Sequence, residues 1–328
     1  MKRYKLFNVK TFFFITICFG VIIIAYNYWD NNRVIVKNEK IVIQNLPEEF
    51  EGFTFLQISD LHGKKFGSNQ DKLLRLINSL NYDCVLFTGD MNKYEISDAT
   101  SSEAVLDIIK GINNNTLMYW VDGNTGPFAC ETIDGSYTGE LTEIGNKLES
   151  MGVNVLLLPE KIEKNGEYIW LVPELCRTEL EMQYFSIDEM NEQYKKISMF
   201  GKNLEKWYEQ LNGNKKIKIR VNHFPLQANL SNGERKDLGY LDYDLSISGH
   251  YHGGQIRIPF YGALYIPSPT SGMNGYFPRQ EEVEGLNNMD GLQQYVSAGL
   301  GASASISFLN FRLFNSPEIN LITLSGNK

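Results

Sequence analysis

The chain has 328 residues, a formal net charge of −8 and 43% hydrophobic residues. That composition excludes a disordered tail or a collagen-like repeat, and at roughly 150 residues per domain it allows one large domain or two small ones. The excess of acid excludes nucleic acid as the expected partner, because phosphate backbones call for a surplus of Lys and Arg.

Residues 1–10 carry Lys2, Arg3, Lys5 and Lys10 and no acid, and Thr11 to Trp29 follows as 19 residues without a charge. A helix needs about 20 residues to cross the hydrocarbon layer, and the closing Tyr26, Tyr28 and Trp29 suit its interface with water. A cleaved signal peptide has a shorter apolar run, about 7–15 residues, and ends at a small-x-small site. Ala25-Tyr26-Asn27 matches that site poorly. The expectation is therefore an uncleaved signal anchor over residues 1–32, with a cleaved peptide and a buried core helix as alternatives. Arg33, Lys37 and Lys40 follow closely, so the positive-inside bias toward a cytoplasmic N-terminus is modest. On that orientation a single-pass chain in the cell membrane holds residues 33–328 outside the cytoplasm. Setting aside the four basic residues and one acid before position 33 leaves that part with a net charge of −11.

Beyond the anchor, residues 34–36 and 41–43 look like two short strands. Phe53 to Ser59 is strand-like, and Leu73, Leu74, Ile77 and Leu80 fall at helical spacing. Cys84 to Thr88 is a short apolar run; Thr100 to Glu103 has the capping-box form and precedes Val105, Leu106, Ile108 and Ile109. Leu117 to Val121 reads as a strand, and Leu141, Ile144, Leu148 and Met151 as a helical stripe. This rhythm predicts an α/β domain with a parallel or mixed sheet. The second half adds strands at 153–158, 168–172, 216–221 and 243–247, a long polar helix from Ile187 to Leu211, and a Pro/Gly/Asn-rich loop over 268–291. No linker splits 33–328, so one domain is expected.

Five of these strands run directly into Asp, His or Asn. They lead to Asp60-Leu-His62, Gly89-Asp90, Asp122-Gly-Asn124, Asn222-His223 and Gly249-His250-Tyr251-His252, which use all four histidines of the chain. Ligands gather at the carboxyl ends of strands in open α/β sheets. Residues i and i+2 of an extended segment project to one side, so Asp60 with His62, and His250 with His252, are expected to share a pocket. Carboxylate, imidazole and amide oxygen suit divalent Mn, Fe or Zn. One carboxylate can bridge two ions about 3.5–4 Å apart for in-line attack on phosphorus. Gly89, Gly123 and Gly249 each precede a proposed ligand, where a missing side chain permits close approach.

The order D-x-H, GD, GN, NH, GHxH resembles the calcineurin-like metallophosphoesterases. The strings Ile58–His62, Gly249–Gln255, Tyr261–Tyr265 and Val296–Gly301 resemble their membrane-associated bacterial branch. The resemblance spans roughly residues 33–328 and implies a four-layer αββα sandwich with two divalent ions. Asp60, His62 and His252 would hold the first, Asn124, His223 and His250 the second, and Asp90 would bridge them. A hydroxide between the ions would then attack phosphorus, with Asn124 and His223 at the reacting centre.

One departure stands out. The family reads G-N-H-[DE], whereas this chain reads Gly123-Asn124-Thr125-Gly126, which removes the histidine that assists the leaving group. General acid catalysis is typically worth about 10²–10⁴-fold. The substrate then has a good leaving group, such as a pyrophosphate or nucleotide, or another residue donates the proton; Tyr251 is a candidate. Cys84 is expected in the core, and Cys130 and Cys176 pair only if the fold joins them. The sequons at Asn114 and Asn229 are short matches that arise by chance. The expected protein is a membrane-anchored phosphoesterase acting on a phosphodiester or pyrophosphate. The anchor suggests a small phosphorylated or lipid substrate such as an envelope lipid or glycan precursor. The alternative is a weak or inactive metal-binding envelope protein.

Overall fold

The computed structural model describes residues 9–92, 102–113, 116–173, 192–226, 231, 233–234, 242–267, 269, 273–303 and 311–327. The first half contains α1 (Val9–Asn31), β1 (Ile35–Ile43), β2 (Thr54–Ile58), α2 (Asp71–Ile77), β3 (Cys84–Thr88), α3 (Glu103–Gly111) and β4 (Leu117–Val121). A hairpin of β5 (Cys130–Ile133) and β6 (Ser136–Leu141) leads to α4 (Glu143–Ser150) and β7 (Val153–Val155). The second half runs β8 (Glu160–Lys164), β9 (Glu167–Val172), α5 (Glu192–Leu211), β10 (Lys218–Val221) and β11 (Leu245–Ser248). It ends with the hairpin β12 (Ile256–Ile258) and β13 (Gly262–Tyr265), then α6 (Gln280–Val283), β14 (Gly285–Met289), β15 (Leu292–Val296) and β16 (Glu318–Gly326).

Two six-stranded sheets result, in the orders β1-β16-β2-β3-β4-β7 and β14-β15-β11-β10-β9-β8. Their central pairs are parallel, β2 with β3 and β3 with β4 in one sheet and β9, β10, β11 and β15 in the other. The central strands β3 (CVLFT) and β4 (LMYWV) are largely apolar because both faces are covered. In β3 and β4, Val85, Phe87, Met118 and Trp120 face the helices α2, α3 and α4. Cys84, Leu86, Tyr119 and Val121 face the other way and meet Ile219, Val221, Leu245 and Ile247 of the second sheet. Across that sheet, Trp170 and Val172 pack under Trp207, Tyr208 and Leu211 of α5. The layers are thus helix, sheet, sheet, helix, as expected of an αββα sandwich. Each fully buried Leu or Phe in them contributes about 1.5–3 kcal/mol.

Several sequence expectations shift in detail. The two short strands before residue 44 are one, β1, because its parallel partner β16 supplies nine consecutive pairings. Neither β16 nor the hairpins β5–β6 and β12–β13 stands out in the apolar pattern. Part of the expected loop at 268–291 is ordered: α6 and β14 lie there, and β14 pairs antiparallel with β15 over Gly285 to Met289. The strand is polar (GLNNM) because it is the edge of its sheet, so its pattern does not alternate. Helix α3 starts at Glu103 beside Ser102, which makes no side-chain capping bond; its hydroxyl accepts from the Asn92 amide at 2.9 Å. Thr100 and Ser101 of the capping box lie outside the described residues, as do 187–191 of the polar helix, Cys176 and both sequon asparagines. Helix α4 is capped instead at Thr142, whose Oγ1 accepts the Gly145 N–H.

Candidate metal centre

The five strand ends meet at one place, between the two sheets' carboxyl edges. Two groups of buried side chains converge there: Asp60, His62 and His252 in one, Asp90, His223 and His250 in the other. Within each group the potential ligand atoms lie within 4.8 Å of one another. Asp90 sits between them, with Oδ2 3.6 Å from His62 Nε2 and 3.4 Å from His223 Nε2. Asn124 joins the second group, its Oδ1 3.0 Å from His223 Nε2. All seven residues predicted from the sequence are therefore brought together.

How they converge differs from the expectation. Asp60, His62, Asp90, His250 and His252 all have φ between 47° and 75°, the left-handed region rather than an extended strand. The i, i+2 spacing succeeds for another reason: the chain turns sharply at each strand end, and the bend redirects the side chains. His250 and His252 consequently enter different groups. A left-handed conformation costs a non-glycine residue on the order of 1–3 kcal/mol and persists where surroundings enforce it, often at a functional site. Here the enforcement is visible. Asp60 N–H donates to Gly89 O at 3.0 Å, His62 N–H to Asp90 O at 2.9 Å, and Gly249 N–H to His223 O at 3.0 Å.

The glycines serve the ligands' own side chains. A Cβ on Gly123 would lie 2.2 Å from Asp90 Oδ1, and one on Gly89 would lie 2.6 Å from His223 Nδ1. Both positions leave room for another residue's side chain to reach the centre.

Several supporting groups carry no clear signal in the sequence. Ser59 Oγ donates to Asp60 Oδ2 at 2.5 Å, and the His250 N–H reaches both Asp60 oxygens at 3.2 Å. The Thr125 N–H donates to Asp90 Oδ1 at 2.7 Å. Asp122 fixes the Asn124 loop by accepting from Trp120 Nε1 at 2.8 Å and from the N–H groups of Ala129 and Cys130 at 2.8 and 3.0 Å. The sequence marks Asp122 solely by its place at a strand end.

Electrostatics differ across the centre. Burial lowers His62 below its ordinary pKa, and burial beside His62 and Arg312 lowers His252 further. Burial also raises Asp60, against the opposing pull of His223. For the second group, burial opposes ionisation, yet the facing charges of Asp90 and Asp60 win and lift His223 to about 9. The same His223 charge, with His62 and the Thr125 N–H, holds Asp90 well below the carboxylate range despite its burial.

Thr125 occupies the position of the absent histidine. Its Oγ1 lies 3.5 Å from both His62 Nδ1 and Asn92 O, at the limit of hydrogen bonding. Tyr251, the sequence candidate for proton donor, is 3% exposed, and its ring sits among Ala263, Ile266, Val283 and Val296. That is the environment of a packing aromatic. Cys84 is buried in the inter-sheet core, as expected.

The donor set fits two divalent ions. Each group offers one carboxylate and two imidazoles, Asn124 adds an amide oxygen, and among the described residues the buried His252 Nδ1 has no hydrogen-bond partner. A cavity of about 400 Å³ lies beside the second group, lined by Asp122, Gly123, Phe200, Arg220, Asn222 and Phe224. A wider one of about 760 Å³ opens beside His62 of the first group.

A fold of this layering, with two carboxylate-imidazole groups sharing one aspartate at the strand ends, defines a class of metal-dependent phosphoesterases. The profile of the calcineurin-like phosphoesterase family matches residues 53–254, more than half of the chain. The chain belongs to that family and is a metal-dependent phosphoesterase. It is 25% identical over 294 residues to the uncharacterized metallophosphoesterase YkuE of Bacillus subtilis, covering 86% of this chain and 82% of that protein. It is 27% identical over 241 residues to a transmembrane protein with metallophosphoesterase domain of Danio rerio, covering 70% of this chain and 49% of the zebrafish protein. Among solved structures it resembles a phosphopantetheinyl hydrolase of Mycobacterium tuberculosis at 14% identity and a TM-score of 0.37, covering 76% and 91% of the two chains.

Proposed function

We propose that this chain is a membrane-anchored phosphoesterase that hydrolyses a phosphodiester or pyrophosphate with two divalent ions, its catalytic domain (33–328) outside the cytoplasm and its anchor in residues 1–32. The observation that carries the metal part is Asp90 Oδ2 lying within 3.6 Å of one imidazole from each buried group. Asp60, His62 and His252 are assigned to the first ion, Asn124, His223 and His250 to the second, and Asp90 to both. Bound there, the ions would neutralise charge on the phosphoryl group and make water a nucleophile near neutral pH.

The chain's own residues hold this arrangement. His223 Nδ1 lies 2.9 Å from Thr88 O, a contact that fixes its ring so that Nε2 is directed at Asn124 and Asp90. Thr125 supplies a backbone N–H that orients Asp90 and no acid of useful pKa. Tyr251 is assigned a packing role. The leaving group must then depart without a proton from the threonine position, which favours pyrophosphates, nucleotides and other stable anions.

Two observations support anchoring. Helix α1 is 23 residues long with a mean hydropathy of 2.2 over its most apolar 18 residues, none of them buried. Its end docks on the domain: Asp30 is 1% exposed, and the Asn31 side chain exchanges hydrogen bonds with the backbone of Arg312 at 2.8 and 3.1 Å. A segment destined for cleavage would not need that dock.

The test is Mn²⁺-dependent hydrolysis of bis(4-nitrophenyl) phosphate by the full chain in detergent, with His223→Ala as control. Turnover requiring both metal and His223 is expected. A folded, metal-loaded chain that turns over nothing would favour the second reading, a metal-binding envelope protein inactivated at Thr125.

A further inference from the structure

The larger cavity lies between the anchor helix and the metal centre. One wall is α1, through Ile23, Ile24, Asn27 and Asn31; the other is Phe311, Leu313 and Ala302; and its floor includes Lys64 and His62. His62 is one of the first-group ligands. The α1 wall begins eight residues before the helix ends, a rise of about 12 Å at 1.5 Å per residue. It starts at isoleucines of the apolar helix, passes asparagines and ends at an imidazole of the centre. The groove is thus graded from apolar to polar to metal-ligating, the order of parts in a phosphate-bearing lipid.

The wall is built, not incidental. Tyr26 stacks on Phe314 with ring centroids 5.9 Å apart, and Asp30 Oδ1 accepts from Ser316 Oγ at 2.7 Å and from Arg33 Nε at 2.8 Å. Together with the Asn31–Arg312 pair these contacts lock α1 against the segment that forms the opposite wall. On the other side of that segment, Leu313 bridges to Ile256 of the hairpin β12–β13. This hairpin and the strand-like segment beside it expose Ile258, Phe260, Tyr261, Tyr276 and Phe277. Exposed aromatics of this kind suit a membrane–water interface. Anchor helix and aromatic hairpin flank the same segment, so the groove's mouth lies between two apolar surfaces.

Resting on the phosphoesterase reading above, we propose that the substrate is a membrane lipid carrying a phosphodiester or pyrophosphate. Its tail enters the groove between α1 and Phe311/Leu313, and Lys64 stands beside the phosphate's path to His62. The lipid reaches the centre from the bilayer without leaving it. A substrate dissolved in water would gain nothing from an apolar wall leading into the membrane helix.

The test uses the full chain in mixed micelles and two substrates with the same leaving group, hexadecyl and ethyl 4-nitrophenyl phosphate. In each, water adds to phosphorus as the bond to nitrophenolate breaks, giving the alkyl phosphate. The hexadecyl ester is expected to have a kcat/KM at least about tenfold higher, reflecting the burial of part of its tail along the apolar wall. Phe311→Asp and Ala302→Trp, one making the wall polar and one filling the groove, should cut that preference at least tenfold. Metal content and near-ultraviolet circular dichroism check that both variants remain folded. Both variants keep the anchor, so a preference that survives in them arises from micelle partition and overturns the groove.

A second readout needs no turnover. A photoreactive benzophenone side chain at Phe311 should form an adduct with dioleoyl phosphatidylglycerol, a phosphodiester lipid, in vesicles, whereas one at Val42, far along β1, should not. No adduct at position 311, or equal adducts at both, overturns the proposal. Hydrolysis of both esters without tail preference removes the groove alone; hydrolysis of neither removes the phosphoesterase reading and the groove with it.

Discussion

The two ligand groups are made of the same parts, one carboxylate and two imidazoles, yet they are held in opposite ways. In the first, all three residues are left-handed, the Asp60 carboxyl is gripped by Ser59 and the His250 N–H, and burial keeps both imidazoles neutral. In the second, Asp90 and His250 are left-handed as well, but His223 is not; it is pinned by Thr88 O and forms a charged pair with Asp90. The first group is thus held by left-handed turns and by hydrogen bonds among uncharged imidazoles, His62 Nε2 lying 3.2 Å from His252 Nε2. The second is already satisfied internally by a proton. An arriving cation meets neutral imidazoles in one and must displace the proton of a charged imidazole in the other.

Removing the shared residue should break both groups at once. Asp90→Asn is expected to abolish double occupancy and cut turnover by about 10³-fold, the several kcal/mol that metal stabilisation of the transition state supplies. Metal analysis after gel filtration, with diester kinetics, checks this. If Asp90→Asn keeps two ions and near-parental turnover, the bridging assignment is wrong. Single-group lesions separate the halves: His252→Ala and His223→Ala should each retain about one ion per chain, with rates down about 10²-fold. Equal loss of both ions in both variants would mean that the groups do not fill independently.

Most of this centre is legible in the sequence, because parallel strands buried on both faces write short apolar runs, and polar residues placed just after such runs are conspicuous. Asp60, Asp90 and His223 each follow a strand that is buried along all or nearly all of its length. What the sequence hides lies where burial is one-sided or the pairing distant. Strand β16 pairs with β1 nearly 300 residues away, and β14 is a polar edge. Asp122 is visible as a strand-end acid, but its bonds to Ala129 and Cys130 depend on how the following loop folds back. The groove is illegible for the same reason, since no local pattern links Ile23 to Phe311.

The comparison sharpens at Thr125, which touches both groups, through its N–H to Asp90 and its hydroxyl toward His62. Thr125→His would place an acid at the leaving-group position. On an alkyl phosphate diester, whose leaving group needs a proton, the rate should rise about 10²-fold, the low side of what a general acid contributes. On bis(4-nitrophenyl) phosphate the change should be small. An equal effect on both substrates would show that the threonine's role is packing.

The smallest effect tests the protonation difference directly. In the metal-free chain His223 has a pKa of about 9, raised above the ordinary 6.5 by Asp90 and Asp60. A raised histidine stabilises the fold fully below the unfolded value, and that contribution is lost as pH rises toward and through about 9. Metal binding removes the same proton, so the loaded chain lacks this contribution at every pH. Two consequences point the same way: between pH 6.5 and 9 the metal-free chain weakens, and apparent metal affinity at the second group rises by about tenfold per pH unit, one proton being displaced. The Mn²⁺-induced increase in Tm should therefore grow across that window. His223→Gln should flatten the trend, since the amide carries no titrating proton. His252→Gln should leave the slope in place, because His252 is lowered well below 6.5 and is already neutral there. A Tm increase that is flat or falls between pH 6.5 and 9 in the parent chain would mean that the two groups are protonated alike, and that their different backbone tethers carry no difference in charge.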